Sequence, residues 1–253
     1  MSPAQTAAAE FFGALAPEYD ARWTDSLVGR LQREQVWRVV GPLFHAGERV
    51  IDLGCGTGSD AARLVRAGVA VHAVDAAPEM VAAAERRLAA ERTAGMARVE
   101  LCALEDLARL RPHAPFDGAL SNFAAVNCVE DVGAFASDLA ALVRPRGCVA
   151  LTVFGRSCAW EMLWYRGRAR RQRRGSLRVI YPSVAALSAA LRPWFRRVEL
   201  RGIGVFVPPS YAESWAQRHP GLAATLDRID RFAGRVPGVR ALADHLLVVF
   251  ERT

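Results

Sequence analysis

Between residues 49 and 154, short apolar runs rich in β-branched residues alternate with helical patterns, and this rhythm constrains the fold more than any other feature. "RVIDLG", "AVHAVD", "RVELCAL", "FDGALSN" and "CVALTVFG" read as strands, while "SDAARLVRAG" and "PEMVAAAERRLAAERTAG" read as helices between them. Strands alternating with helices make an α/β sheet that is mostly parallel, with right-handed crossovers. Open sheets of this kind bind ligands at the carboxyl ends of their strands. The turns that follow the strands are therefore the places to look for chemistry.

On either side of this core the rhythm is looser. Residues 5 to 45 read as helices, with Leu27, Leu31, Val36, Val39 and Val40 at helical spacing before Gly41-Pro42 ends the pattern. After Gly155 come an aromatic and then arginine-rich insertion, a helix near 184–195, a strand near 197–207, a helix near 210–233 and a last strand, "DHLLVVFE". No repeat or low-complexity linker interrupts the chain, and 253 residues with 52% apolar content can fill one core. The expectation is a single domain over 1–253, with an N-terminal helical lid (1–45), a ligand-binding core (46–155), and a cap insertion plus the last two strands (156–253).

The first strand runs into "VIDLGCGTG", residues 50–58. Glycine tolerates positive φ and has no β-carbon, so Gly54, Gly56 and Gly58 permit a tight turn against which a ligand lies at backbone distance. A helix opening at Ser59 would aim its free amides at that ligand. "GTGSDA" also fits a loose dinucleotide fingerprint. Asp52 separates the two readings, since at the strand end it faces the ligand, whereas under the dinucleotide reading it is a buried unpaired charge costing several kcal/mol. The second strand ends at Asp75, where a carboxylate can accept from both ribose hydroxyls or cap the helix that follows.

In order and spacing, "VIDLGCGTG", "AVDAAPEMV", "ALEDL", "FDGALSNFAAVN" and "LVRPRGCVALTVFG" resemble the class I S-adenosylmethionine-dependent methyltransferases, in particular the small-molecule branch of the ubiquinone, menaquinone and biotin pathway type. "ALAPEYDARW" at 14–23 is similar to an N-terminal element of that branch, and residues 156–253 carry little of the resemblance. It implies a doubly wound, seven-stranded Rossmann-like sheet and S-adenosylmethionine as cofactor. The backbone of Gly54, Cys55 and Gly56 would then meet the methionyl part, with Asp52 near its ammonium group. Asp75 would hold the ribose, Ala76 and Met80 would flank the adenosine, Leu104 and Glu105 the adenine, and Asn122 and Phe123 the methionyl end. Tyr19 would close over the cofactor. Ala103 stands where the family often has an adenine-binding aspartate, a departure that leaves adenine recognition to the backbone or Glu105.

The implied reaction moves a methyl group to an oxygen, nitrogen or carbon of a small molecule. A nicotinamide-dependent oxidoreductase, a silent binding protein, and an RNA or protein methyltransferase are the alternatives. "SNFA" after the fourth strand is not the N-P-P-aromatic motif associated with planar amide or base nitrogens, and the chain has no lysine, so lysine-dependent chemistry is excluded. Nucleic acid is not expected as a partner.

Trp160, Trp164, Tyr165 and Tyr181, with Tyr19, are candidate walls of the acceptor pocket. The seven arginines of "RGRARRQRRGSLR" (166–178) form a solvated face, a clamp for an anionic substrate or a nucleic-acid contact. Five cysteines without C-x-x-C spacing read as free thiols, and five scattered histidines offer neither a metal site nor an assignable base. The sequence singles out no catalytic residue. The start "MSPAQTAAAEFF" lacks a secretory pattern and no apolar run reaches bilayer length, so a cytoplasmic location away from membranes is expected.

Overall fold

The computed structural model describes residues 3–123, 125–164, 173–174 and 177–253. Two helices, α1 (Pro3–Tyr19) and α2 (Leu27–Val40), precede β1 (Arg49–Leu53), α3 (Ser59–Arg66), β2 (Ala70–Asp75), α4 (Pro78–Arg87), α5 (Ala89–Thr93), β3 (Ala97–Leu101) and β4 (Phe116–Ser121). There follow α6 (Val132–Leu142), β5 (Val143–Phe154), α7 (Ala159–Trp164), β6 (Arg173–Arg174), β7 (Leu177–Arg178) and α8 (Val184–Leu191). The chain ends with β8 (Phe195–Ile203), α9 (Glu213–Arg218), α10 (Pro220–Ala233) and β9 (His245–Arg252).

Seven strands form one sheet in the order β3-β2-β1-β4-β5-β9-β8, and the expected fold class is borne out. Strands β1 to β5 pair in parallel, whereas β9 runs antiparallel to both β5 and β8. The N-terminal end of β9 therefore lies where β1, β4 and β5 have their carboxyl ends. In register, His245 at the start of β9 pairs with Phe154 at the end of β5.

Side chains alternate across a strand, and the central strands bury both sets. Ile51, Leu53, Val149, Leu151 and Val153 pack on one face against Phe135 and Leu139 of α6 and Leu187 and Leu191 of α8. Val50, Val71, Ala73, Leu120 and Ala150 pack on the other, against Val36, Trp37 and Val40 of α2 and Ala61 and Leu64 of α3.

Several boundaries differ from the sequence reading. The helix expected over 210–233 breaks at His219, because Pro220 has no N–H to continue the first helix and instead opens α10. α8 ends at Leu191, shortly before Pro193. The strand expected near 197–207 occupies 195–203 and stops at Gly204, whose φ of +66° leaves the extended region. Tyr165, Arg170 and Arg171, and the side chains of Trp164, Arg173 and Arg174, lie outside the described residues. The expected cap is thus described only in part, over 156–164, 173–174 and from 177 onward.

Candidate active site

The glycine turn after β1 adopts the geometry its composition requires. Gly54, Gly56 and Gly58 have φ of +71°, +54° and +79°, the left-handed region that other residues enter at a cost. A β-carbon on Gly54 would stand 2.3 Å from Cβ of Ala125, so that site also demands space. One on Gly56 would meet nothing nearer than Cε1 of Tyr19 at 4.0 Å, so its missing side chain leaves open volume under the tyrosine. The amides of Gly54 and Cys55 both donate to the Val74 carbonyl at 2.9 Å, which ties the turn to the end of β2.

Asp75 completes that tie. Its Oδ2 accepts from the Gly56 amide and its Oδ1 from the Ala77 amide, each at 2.9 Å. The carboxylate borders a cavity whose floor is Gly54 and Gly56 and whose sides include Ala76, Met80, Leu104 and Glu105. Asn122 and Phe123 close one end, and Tyr19 with Ala8, Ala9 and Phe12 of α1 form the roof. Burial raises the Asp75 pKa, while the Ala77, Gly56 and Ala76 amides oppose the shift. Met80 is both core and wall, since it packs with Ala9 and Ala77 yet lines the cavity.

Three of the expected residues are not among those lining the cavity. Cys55 is buried, its thiol pushed well above its ordinary pKa by burial, so its backbone is the part left to meet a ligand. Gly58 instead faces α4, where a β-carbon would come 3.1 Å from Cβ of Ala84. Asp52 is only 1% exposed and does not reach the cavity wall, and its Oδ2 is buried without a hydrogen-bond partner. Burial drives its pKa well above the carboxyl range, Asp60 pushes the same way and Arg33 opposes. Asp52 thus lies behind the cavity lining as a buried carboxyl whose raised pKa disfavours a charge, rather than as the carboxylate expected beside the ammonium group.

The polar centre that does stand beside the cavity was not read from the sequence. Asp60 accepts from Trp37 Nε1 at 2.6 Å, from Asn122 Nδ2 at 3.0 Å and from the guanidinium of Arg33. Burial alone would raise the Asp60 pKa, but Arg33 and these three hydrogen bonds together hold it low. Arg33 also lies over the Phe123 ring, 4.8 Å from its centroid. Phe123 itself has a φ of +52°. Because α2 carries Arg33 and α3 carries Asp60, only their packing brings the pair together.

The roof is clasped from outside. Thr57 donates its hydroxyl to Asp20 at 2.7 Å, and Arg87 of α4 donates to the other Asp20 oxygen at 2.7 Å. This pins the residue next to Tyr19 to the glycine turn. The Tyr-Asp pair at 19–20 thus divides its work, with the aspartate anchoring and the tyrosine covering. Tyr19 also leans on Trp23 at 5.0 Å.

A second, larger cavity adjoins the first and shares Phe12, Tyr19, Phe123 and Cys128 with it. Its walls include Trp23, Phe154, Arg33, Glu161, Asp244 and His245. Of the expected acceptor residues, Tyr19 lines it. Trp160 turns away instead, donating its Nε1 to the Phe206 carbonyl at 3.0 Å and packing on Trp215. Tyr181 stands behind Phe154, ring to ring at 5.8 Å, and is not itself among the lining residues. Among the described residues no group of histidines, cysteines and carboxylates is arranged to hold a metal.

Residues 50–147 match a family model described as a methyltransferase domain, which bears out the resemblance read from the motifs. Over 118 residues the chain is 35% identical to a ubiquinone biosynthesis O-methyltransferase of Xylella fastidiosa, a match covering 47% of this chain and 46% of that protein. It is 31% identical over 157 residues to a demethylmenaquinone methyltransferase of Clavibacter sepedonicus, covering 60% of this chain and 59% of that protein. The chain spans about half the length of the curated relatives it matches. Among solved structures it is similar to a geranyl diphosphate C-methyltransferase of Streptomyces coelicolor A3(2), with a TM-score of 0.63, 14% identity, and 100% of this chain and 99% of that chain covered. It is also similar to the [4+2]-cyclase SpnF, with a TM-score of 0.64, 16% identity, and 100% and 97% covered. At such identities these structures establish the fold, and since one is named a cyclase, the reaction has to be argued from the site.

Proposed function

We propose that the protein is an S-adenosylmethionine-dependent methyltransferase whose acceptor is a small molecule. The observation that carries this reading is the Asp75 carboxylate, hydrogen-bonded to the Gly56 amide and bordering a cavity floored by two glycines. A carboxylate has about four lone-pair sites, and two are used by amides, so acceptor capacity remains for a ribose diol. The residues present fit the cofactor. Asp75 would hold the ribose, Ala76, Met80, Leu104 and Glu105 would enclose the adenosine, and the backbone from Gly54 to Gly56 would lie along the methionyl part. Asn122 and Phe123 would border its reactive end, next to the second cavity.

When bound, the cofactor supplies a methyl group made electrophilic by a positively charged sulfur. The chain contributes position and dryness. Tyr19 and the first helix cover the cofactor cavity, and the shared wall at Phe123 sets the acceptor beside it. Holding two reactants in near-attack geometry supplies roughly 7–11 kcal/mol of the barrier. An acceptor in a cavity so lined is a small molecule with an apolar body, and oxygen, nitrogen or carbon can receive the methyl.

Among the described residues no helix is long and apolar enough to cross a membrane. We place the protein in the cytoplasm, folded as one domain over 1–253 and working without nucleic acid. The test is mass spectrometry of a metabolite pool incubated with protein and methyl-labelled cofactor. Labelled small molecules support the reading. Label found only in RNA or protein overturns the acceptor class.

A further inference from the structure

Of the five histidines, one sits where the reaction would occur. His245 opens β9, and because β9 runs against β5 this first residue lies at the ligand-binding edge of the sheet, in register with Phe154. Its ring stacks on Phe154 at 4.8 Å and meets the Phe123 ring edge-on at 5.4 Å. Phe123 belongs to both cavities, and His245 lines the larger one. The imidazole is thus one aromatic ring away from the proposed cofactor.

A carboxylate stands behind it. Nδ1 of His245 lies 3.3 Å from Oδ2 of Asp244, within ion-pair distance but off the line of a hydrogen bond, and it is sealed in the interior. That leaves Nε2 as the nitrogen for the cavity. Asp244 is itself held: Gln32 Nε2 donates to its carboxylate at 3.1 Å, its amide donates to the Gly204 carbonyl, and its carbonyl accepts from the Gly155 amide. A fixed carboxylate facing Nδ1 favours the tautomer with its proton there, which leaves the Nε2 lone pair to accept a proton.

We propose that His245 is the general base toward the acceptor, that Asp244 positions it, and that the acceptor is a hydroxylated aromatic ring. The inference rests on the methyltransferase reading. Phe12, Trp23, Phe123 and Phe154 give flat apolar walls that suit a ring rather than a flexible chain. A neutral aromatic hydroxyl is a weak nucleophile until its proton is removed. In that step the O–H bond breaks, the proton passes to Nε2, and the electron pair stays on oxygen as the nucleophile. The proton leaves His245 to solvent after product departs. Arg33, in the same cavity, favours the oxyanion electrostatically.

Among the described residues, the other titratable groups facing this cavity are Tyr19, Arg22, Cys128, Glu161 and Tyr211, besides Arg33 and Asp244. Among these and His245, the His245–Asp244 pair alone is an imidazole backed by a carboxylate.

The test uses nitrocatechol, whose phenolate and phenol absorb at different wavelengths, with intact protein carrying S-adenosylhomocysteine or, for turnover, labelled S-adenosylmethionine. Wild type should bind the probe as phenolate below the pH at which it ionises in water, and should methylate it with a rate that rises with pH. His245→Asn should still bind S-adenosylhomocysteine, lose the phenolate spectrum, and fall at least ~100-fold in kcat with a flat pH profile. Asp244→Asn, which keeps an acceptor for Gln32, should lose roughly tenfold in kcat with KM unchanged. His245→Asn retaining the wild-type rate and pH profile would overturn the base. Wild type that takes up S-adenosylhomocysteine but neither binds nor methylates the probe or other phenols would overturn the acceptor class alone. Failure of wild type to bind S-adenosylhomocysteine would overturn the underlying reading and this inference with it.

Discussion

Oδ2 of Asp75 accepts the Gly56 amide at 2.9 Å, joining the end of β2 to the glycine turn across 19 residues of chain. The same carboxylate is thus a structural strut and a candidate ribose acceptor. Asp75→Ala should lose on both counts. Hydrogen bonds to a charged acceptor contribute about 1.5–3 kcal/mol each, and each 1.4 kcal/mol is about tenfold in affinity. Calorimetry should show S-adenosylhomocysteine affinity falling at least ~30-fold. Thermal melts should show about 1–3 kcal/mol of lost stability from the orphaned Gly56 and Ala77 amides. Lost stability with unchanged affinity would make Asp75 a strut alone.

The glycines of the turn should separate into two kinds. Gly54→Ala would force a β-carbon to 2.3 Å from that of Ala125 at a φ of +71°, so it should unfold the turn and lower the melting temperature sharply. Gly56→Ala has open space up to Tyr19 at 4.0 Å, so it should cost only the backbone penalty of about 1–2 kcal/mol. Its new methyl would nonetheless occupy the cavity floor. Gly56→Ala protein that melts near wild type but no longer binds S-adenosylhomocysteine is the expected result, and unchanged binding would move the ligand off that floor.

Arg33 and Asp60 are mutually dependent buried charges. Arg33→Met should strand the Asp60 carboxylate and cost roughly 3–5 kcal/mol in a urea melt, with the double variant Arg33→Met, Asp60→Asn recovering part of the loss. The pH dependence has a definite sign. Arg33 and the hydrogen bonds hold the folded Asp60 pKa below its unfolded value despite burial, so its stabilisation is present above the ordinary carboxyl range and is lost as pH falls through the lowered folded pKa. Asp60→Asn should flatten that part of the acid unfolding curve.

Asp52 has the opposite sign. Its folded pKa is raised by burial, so the stability it contributes is complete below the ordinary carboxyl range and is lost as pH rises toward the folded value. Asp52→Asn should melt no lower than wild type near neutral pH and should remove that decline. A large destabilisation there would show that Asp52 is ionised and paired in the folded protein.

Much of this site was legible because parallel strands and glycine turns are local patterns. The runs "RVIDLG" and "AVHAVD" place Gly54, Gly56 and Asp75 at strand ends with no knowledge of the tertiary fold, and these residues do meet around one cavity. The Arg33–Asp60–Asn122 cluster was not legible, since α2, α3 and the turn after β4 meet only when helices pack on the sheet, and a lone arginine among 33 basic residues carries no signal. His245 was hidden for a related reason, because its position depends on β9 running antiparallel, a matter of topology rather than composition. Asp52 shows the converse limit: its place at the strand end was legible, but the direction of its side chain, beneath the turn rather than into the cavity, was not. The Trp160 expectation came from an aromatic run, and aromatic residues pack as readily on Trp215 as on a ligand.

The most direct measurement is a calorimetric titration of purified protein with S-adenosylhomocysteine, with NADH as the parallel ligand. Saturable binding of S-adenosylhomocysteine at one site, with a dissociation constant of roughly micromolar order, and no heat from NADH is the expected result. Folded protein that takes up no S-adenosylhomocysteine at about millimolar concentration, or that binds NADH in its place, would contradict the assignment of this cavity to an adenosyl sulfonium cofactor.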